Sequence, residues 1–306
     1  MSTTFEIIEA EDIMVFVNAN TKDENAATNS KRESILSIIF YLDDDYFQDP
    51  QYGATWTEIR QKLRDTLTTL CEQPFSKIKM EQKGGMSYNY DFVVSFIGQN
   101  GEVVQTNKLE FKHNNTNVKD LVQFLELYDK DCKTKFSIFN TSYSEYYYDN
   151  YIDKYLALNS ANVSVVKPDK DVYLKHVYDI KYKHPFFKHL YETKDTNKKE
   201  KDKVVEESRT TFINTYAEQF NFDLVCDKIK ESQTNKIFMF WDKNNFHLQK
   251  LDVDKIKIVG IKPGSIKKLY FDVEVDNFMY NIRIRLNWGN NNGVANPRWK
   301  FSFIDK

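Results

Sequence analysis

Cysteine is nearly missing from this chain: Cys71, Cys132 and Cys226 are the only three in 306 residues. Odd in number, widely spaced and without a Cys-x-x-Cys pair, they exclude a disulfide framework and argue against a structural zinc site. The expectation is reduced thiols in an intracellular protein, cytoplasmic or, for a eukaryotic or viral source, nuclear or in a viral factory. Glycine (9) and proline (6) are also scarce, which excludes collagen-like and low-complexity chains. No apolar run approaches the roughly 18 residues that span a bilayer. The acidic N-terminus lacks the basic and apolar regions of a signal peptide, so no membrane partner is expected. His176, His184 and His189 share a neighbourhood but lack zinc-helix spacing and read as structural or surface residues. What is plentiful is aromatic (15%) and charged (29%) residues, which make a globular chain of one large or two modest domains.

The net charge of −2 conceals an asymmetry. Through Pro50 there are 11 acidic and 3 basic residues, or −8, and from Lys236 to the end 13 basic and 7 acidic, or +6. A basic C-terminal surface that can meet phosphates is expected, with the acidic part facing elsewhere. Four segments follow from composition and pattern: an acidic stretch 1–50, a core 51–140, a helical, Tyr-rich and charged region 141–234, and a basic β-rich region 235–306.

Phe5 to Val17 reads as a short strand or helix, and Asn18 to Ser30 as a loop. Ser30-Lys31-Arg32-Glu33 has the form of a capping box starting a helix through Phe40. Asp43, Asp44 and Asp45 read as a solvated loop, since three consecutive acids cannot point one way. Trp56, Ile59, Leu63, Leu67 and Leu70 recur at steps of three and four, an amphipathic helix over Ala54–Gln73. Ser76–Gln82 reads as a strand. Beyond residue 112, Val118, Leu121, Leu125 and Tyr128 predict a helix over Asn117–Lys130, and Lys133–Asn140 a strand. The tyrosines at 143, 146, 147, 148, 151 and 155 are expected to pack a helix on the core rather than stack on bases. Lys194–Lys203 reads as a loop or solvated helix, and Val204–Lys230 as a helix. Six strands follow, at 237–241, 246–251, 255–261, 268–275, 278–288 and 298–304, expected to form one antiparallel sheet. Within it Arg283, Arg285, Asn287, Asn290, Asn291, Asn292, Arg298 and Lys300 are candidate readers of phosphates and base edges. A long hairpin whose Trp288 and Trp299 fill core is the equally weighted alternative.

The stretch Tyr88 to Lys112 organises the rest. Two runs rich in β-branched and aromatic residues flank Asn100-Gly101, a strong hairpin signal read as a two-residue type I′ loop. That register puts Val93 opposite Lys108 and Asp91 opposite Glu110. Tyr90, Phe92, Val94, Phe96, Leu109 and Phe111 then share one face, and Asn89, Asp91, Glu110 and Lys112 the other. Opposed Cβ atoms lie about 4.5–5.5 Å apart, so two acids there need a compensating charge. A divalent cation or Lys112 can supply it, and hard oxygen ligands suit Mg²⁺, with Mn²⁺ as substitute.

This pattern resembles the PD-(D/E)xK nuclease superfamily, with Asp91, Glu110 and Lys112 at the motif positions. The expected order of helix, strand, hairpin, helix and strand over 51–140 matches its α-β-β-β-α-β restriction-endonuclease-like core, in a mixed α/β and α+β chain. The resemblance implies a Mg²⁺-dependent hydrolase of DNA phosphodiester bonds, most naturally an endonuclease. Asp91, Glu110 and the Phe111 carbonyl would hold the metal, and Lys112 would orient water. Glu58 and Gln123 are accessory candidates, although Tyr128 stands one position late for a Gln-x-x-x-Tyr element and Tyr90 replaces the motif proline. A repair, recombination or RNA-processing nuclease, with RNA as substrate, and a non-catalytic nucleic-acid-binding protein stay open. Double-strand cutting by one site per chain would call for a homodimer.

Overall fold

The computed structural model describes residues 8–18, 25–83, 88–128, 139, 141–159, 166–177, 184–267, 269–289 and 296–306. Its helices are α1 (Asn25–Ile38), α2 (Asp44–Gln48), α3 (Gly53–Thr68), α4 (Tyr143–Asn150), α5 (Ile152–Leu156), α6 (Lys170–His176), α7 (Pro185–Glu192), α8 (Lys198–Tyr216) and α9 (Phe222–Gln233). The strands are β1 (Lys77–Gln82), β2 (Phe92–Ile97), β3 (Val103–His113), β4 (Leu125–Tyr128), β5 (Lys236–Trp241), β6 (Phe246–Lys250), β7 (Lys257–Ile261), β8 (Tyr270–Asp276), β9 (Tyr280–Gly289) and β10 (Asn296–Asp305). The chain is thus mixed α and β with two sheets, and it divides into two compact units. Among the described residues no helix is long and apolar enough to cross a membrane.

The first unit joins residues up to 120 with 232–251. Its sheet has the order β1-β2-β3-β5-β6. β1, β2 and β3 form an antiparallel meander, β5 lies parallel to β3 from Lys108↔Lys236 to His113↔Trp241, and β6 is antiparallel to β5. A parallel neighbour needs a crossover, and here the chain passes through 121–231 before returning through α9. On one sheet face Phe92, Val94, Phe96, Leu109, Phe111, Met239 and Trp241 are buried, as the alternation demands. They share a core with Ile35 and Leu36 of α1 and Trp56, Ile59, Leu63 and Leu67 of α3. The Trp56 and Trp241 indole N–H groups donate to Ala10 O (2.7 Å) and Phe16 O (2.9 Å), tying down a 3-10 helix at Ala10–Phe16.

The hairpin keeps its expected register by a different route. Gly101 N–H donates to Gly98 O (3.1 Å) and Gly98 N–H to Glu102 O (2.8 Å), so the loop has three residues, and only Gly101 within it has positive φ, at 86°. A type I turn followed by a left-handed glycine needs one positive φ where type I′ needs two. The extra loop residue displaces the register by one at Ile97↔Val103, and a bulge restores it at Phe96↔Gln105. Val93 therefore faces Lys108 as expected.

The second unit joins 121–231 with 252–306 and carries the antiparallel sheet β4-β10-β9-β8-β7. Phe271, Val273, Ile282, Ile284, Leu286, Trp299, Phe301 and Phe303 line its buried face. Phe139 and Phe212 pack on Trp299, with ring centroids 5.0 and 6.3 Å away. Tyr143, Tyr147, Tyr151 and Tyr155 are buried, and Tyr143 meets Phe212 of α8 at 5.3 Å. These tyrosines therefore serve the second unit's own core.

Several expectations are corrected. Asn117–Lys130 is not a helix: a short 3-10 turn at Val118–Asp120 precedes β4, which pairs Leu125 with Phe301 and Leu127 with Trp299. The 124–128 run alternates as well as it repeats at 3.6, and cross-strand pairing decides. The strands at 237–241 and 246–251 leave the C-terminal sheet and supply β5 and β6 of the first. The helix foreseen over Val204–Lys230 is two, α8 and α9. α1 begins at Asn25, ahead of the proposed capping box, and Asp44 and Asp45 open α2 rather than a loop. The strand at Lys133–Asn140 lies outside the described residues save Phe139, which bridges Phe220.

Nothing lies within 4 Å of where a Gly101 Cβ would stand, so Gly101→Ala costs about 1 kcal/mol through its φ alone, and Gly101→Asn less, read from urea unfolding. Both His113 ring nitrogens are buried without a hydrogen-bond partner. Burial, then the charges of Arg32 and Lys243, hold this imidazole down at about 4 against an ordinary 6.5. Between those values the unfolded chain binds the proton and the folded chain does not, so stability falls as pH drops from 6.5 towards 4. The drop in urea midpoint between pH 7.5 and 4.5 should be smaller in His113→Leu than in the parent.

Candidate active site

The pattern of β2 and β3 leaves Asp91, Glu110 and Lys112 on the sheet face opposite the core, where the meander ends. Asp91 lies one residue ahead of β2. Its N–H still joins the ladder, donating to Leu109 O (2.9 Å), while its Oδ2 accepts from Phe111 N–H (2.8 Å). N–H and C=O of one strand residue point to the same side, so the Phe111 carbonyl is turned towards the Asp91 edge. Lys112 Nζ stands 2.7 Å from Glu110 Oε1.

Two residues outside the expected set complete the cluster. Lys236, the first residue of β5, donates from Nζ to Glu110 Oε2 and to Asn89 O (3.1 Å), with its side chain 3% exposed. Glu33, in the third turn of α1, accepts from Gln82 Nε2 (3.2 Å) and feels the charges of Asp91 and Lys112. Both left traces in the sequence. Lys236 is an amine opening an otherwise apolar strand, Lys-Ile-Phe-Met-Phe-Trp. Glu33 closes the Ser30–Glu33 capping-box pattern, a role that a helix start at Asn25 removes.

Burial and charge set the electrostatics. Burial pushes the Glu110 carboxyl up, but the charges and hydrogen bonds of Lys112 and Lys236 outweigh it and hold the group below its usual range. Burial raises Asp91, with Lys112 and the Phe111 N–H only partly offsetting. Glu33 is pushed up to about 7, first by burial and then by the Asp91 charge. Burial depresses Lys236 despite Glu110, while Glu110 lifts Lys112 in spite of burial. Three carboxylates thus face two ammonium groups, and the two acids without a direct lysine partner are the two pushed up.

That donor set fits a hard divalent cation: two carboxylates and a backbone carbonyl are oxygen donors, and added positive charge would relieve Asp91 and Glu33. Both Glu110 oxygens are occupied by lysines, so a cation must displace one. Lys112, 32% exposed, can leave more readily than Lys236. Among the described residues no group of three or more acidic, His or Cys side chains is placed to hold a metal, so the fit rests on two carboxylates and the carbonyl.

The remaining expected residues lie in other surroundings. Glu58 pairs with Lys62 one turn along α3 and is 61% exposed. Gln123 sits on no helix but just before β4 in the second unit, its Oε1 buried without a hydrogen-bond partner. On the polar face of the second sheet Arg283 makes a two-pronged bond to Asp272 (2.7 and 2.9 Å), and Arg298 and Lys300 share Glu126 (2.9 and 3.6 Å). Arg285 is exposed, its guanidinium 5.9 Å from the Tyr270 ring, and Asn287 is half-buried. Asn290, Asn291 and Asn292 lie outside the described residues. Trp299 is core at 1% exposure. Cys71 and Cys226 are free thiols, and Cys132 falls outside the described residues.

The buried ion pair has a measurable signature. Lys236→Met should cost about 1–3 kcal/mol in urea unfolding, because it strips one partner from a desolvated carboxylate. In a Glu110→Gln background the same change should cost much less, and additive losses would show that the two do not act together.

No family model matches this chain, and no curated protein sequence does.

Proposed function

We propose that the chain is a metal-dependent nuclease of the PD-(D/E)xK type that hydrolyses DNA phosphodiester bonds, most naturally as an endonuclease. The observation carrying this reading is the convergence of Asp91, Glu110 and Lys112 at the open end of a β-meander whose Glu-Phe-Lys strand has a parallel neighbour. Helix α3 precedes the meander and α9, most of which belongs to the second unit, precedes β5 in the chain, a sequence order compatible with α-β-β-β-α-β. In this reading the core is interrupted between its third and fourth strands by most of the second unit.

Mg²⁺, or Mn²⁺ in its place, held by Asp91, Glu110 and the Phe111 carbonyl would supply Lewis-acid charge at the scissile phosphate. The chain's own groups divide the other work. Phe111 N–H fixes one Asp91 oxygen and so aims the other. Lys236 anchors Glu110 from behind with a side chain that solvent scarcely reaches. Lys112, once released from Glu110, donates to a phosphate oxygen and stabilises the charge that develops there. On the second sheet, phosphates would compete with Asp272 and Glu126 for Arg283, Arg298 and Lys300, which leaves Arg285 as the readiest contact.

Purified protein incubated with supercoiled plasmid, linear duplex, single-stranded DNA and RNA, with Mg²⁺ or with EDTA, tests the reading. Mg²⁺-dependent DNA cutting should fall at least 100-fold in Asp91→Asn, Glu110→Gln and Lys112→Ala, an expectation set by charge stabilisation at the phosphate. RNA cutting with the same variant pattern would move the substrate to RNA processing. Cutting that survives all three substitutions, or none with any substrate, would end the nuclease assignment.

A further inference from the structure

The second unit contains a cavity of about 310 Å³ along α8 that the proposed chemistry does not use. Four cations line it, Lys194, Lys198, Lys201 and Arg209, against two acids, Asp202 and Glu206. Four minus two leaves +2 among the lining side chains, and with Asp195 3.8 Å from Lys198 the local excess is +1, a positive charge that an anionic phosphate offsets. Residues 198, 201, 202, 205, 206 and 209 recur at helical spacing, so one face of α8 forms a wall.

Three features of this wall are unfavourable without an anion. Arg209 is pushed down by burial, its Nε is buried without a hydrogen-bond partner, and its Nη1 reaches Leu286 O only at 3.5 Å. A desolvated guanidinium with donors unspent is costly unless an acceptor meets it. Lys201, 2% exposed, spends one donor on Thr193 O (2.8 Å) beneath the Tyr155 ring, 5.2 Å away. The start of α8 is the third feature. Its N-cap, Asn197, is left-handed (φ 50°) and makes no side-chain capping bond, and Lys198, Lys199 and Lys201 outnumber the single acid Glu200 in the first turn. Cations at the positive end of a helix dipole are unfavourable, and uncapped N–H groups there favour anions.

We propose that this cavity binds a small phosphorylated ligand of mononucleotide size. The phosphate would lie between Arg209, Lys201 and Lys198, and Asp202 and Glu206 would accept from hydroxyl or amino groups of the attached sugar or base. The same two acids oppose a long polyanion, so the site favours a compact ligand over a nucleic-acid backbone. It is independent of the Asp91 cluster and stands or falls apart from the nuclease reading.

Calorimetric titration and thermal melting of the full chain with inorganic phosphate, ribose 5-phosphate and adenosine, guanosine, cytidine and uridine 5′-monophosphates test this. At least one monophosphate should bind at least tenfold more tightly than inorganic phosphate and raise Tm, with sodium chloride at equal ionic strength giving no such rise. Lys194→Ser with Lys198→Ser, both on the rim, should weaken binding at least tenfold, whereas Lys199→Ser, off the cavity, should not. Arg209→Met should abolish binding without lowering the ligand-free Tm. No saturable binding below 10 mM for any probe, equal binding by the rim variant, or phosphate-independent stabilisation by chloride would overturn the proposal.

Discussion

Glu110 held between two lysines is the constraint on which the first unit depends. Its Oε1 meets Lys112 on its own strand and its Oε2 meets Lys236 on the parallel neighbour, a residue 126 positions away in the chain. A buried carboxylate with one partner removed is strongly destabilising, while the satisfied pair adds little over a well-packed apolar substitute. The triad therefore acts more as a specification than as a source of stability. It makes the pairing of β3 with β5 costly to shift, because a one-residue slip would turn Glu110 or Lys236 to the opposite face.

That dependence explains which parts of the fold were legible in the sequence. Period-2 burial through Phe92, Val94, Phe96, Leu109 and Phe111 and period-3.6 burial through Trp56, Ile59, Leu63 and Leu67 are local patterns, and both stand. The hairpin body stands too, though by a compensation of loop and bulge that no turn dipeptide announces. The identity of the fourth strand was illegible. Lys236–Trp241 reads as β from its own residues, but nothing nearby says that it pairs with a strand left behind before residue 120. Proximity in sequence favoured Lys133–Asn140 for that place and assigned β5 to the C-terminal sheet.

The candidate site was legible to the same extent. Asp91, Glu110 and Lys112 came from a register, which is local. Lys236 and Glu33 came from elements that only tertiary structure brings together, and each had a plausible local role that concealed it: an edge-of-strand charge and a helix cap. Their arrival changes the chemistry of the motif. With Lys112 alone, Glu110 would be a carboxylate with a spare oxygen; with Lys236 added, both oxygens are engaged, and any cation would have to displace a lysine to reach them.

Charge counting along the chain shows the same limit from the other side. The C-terminal excess of +6 suggests a basic surface, yet Arg283 is paired with Asp272 within that segment, and Arg298 and Lys300 share Glu126, which enters on β4 from outside it and offsets one of their two charges. A sum over sequence assigns each charge to its segment, whereas the field is set by the nearest opposite charge in space. By that measure Arg285, exposed on the sheet face, keeps part of the counted excess, while a second group of cations that the count did not single out lines the wall of α8, where Arg209 Nε is buried without a hydrogen-bond partner.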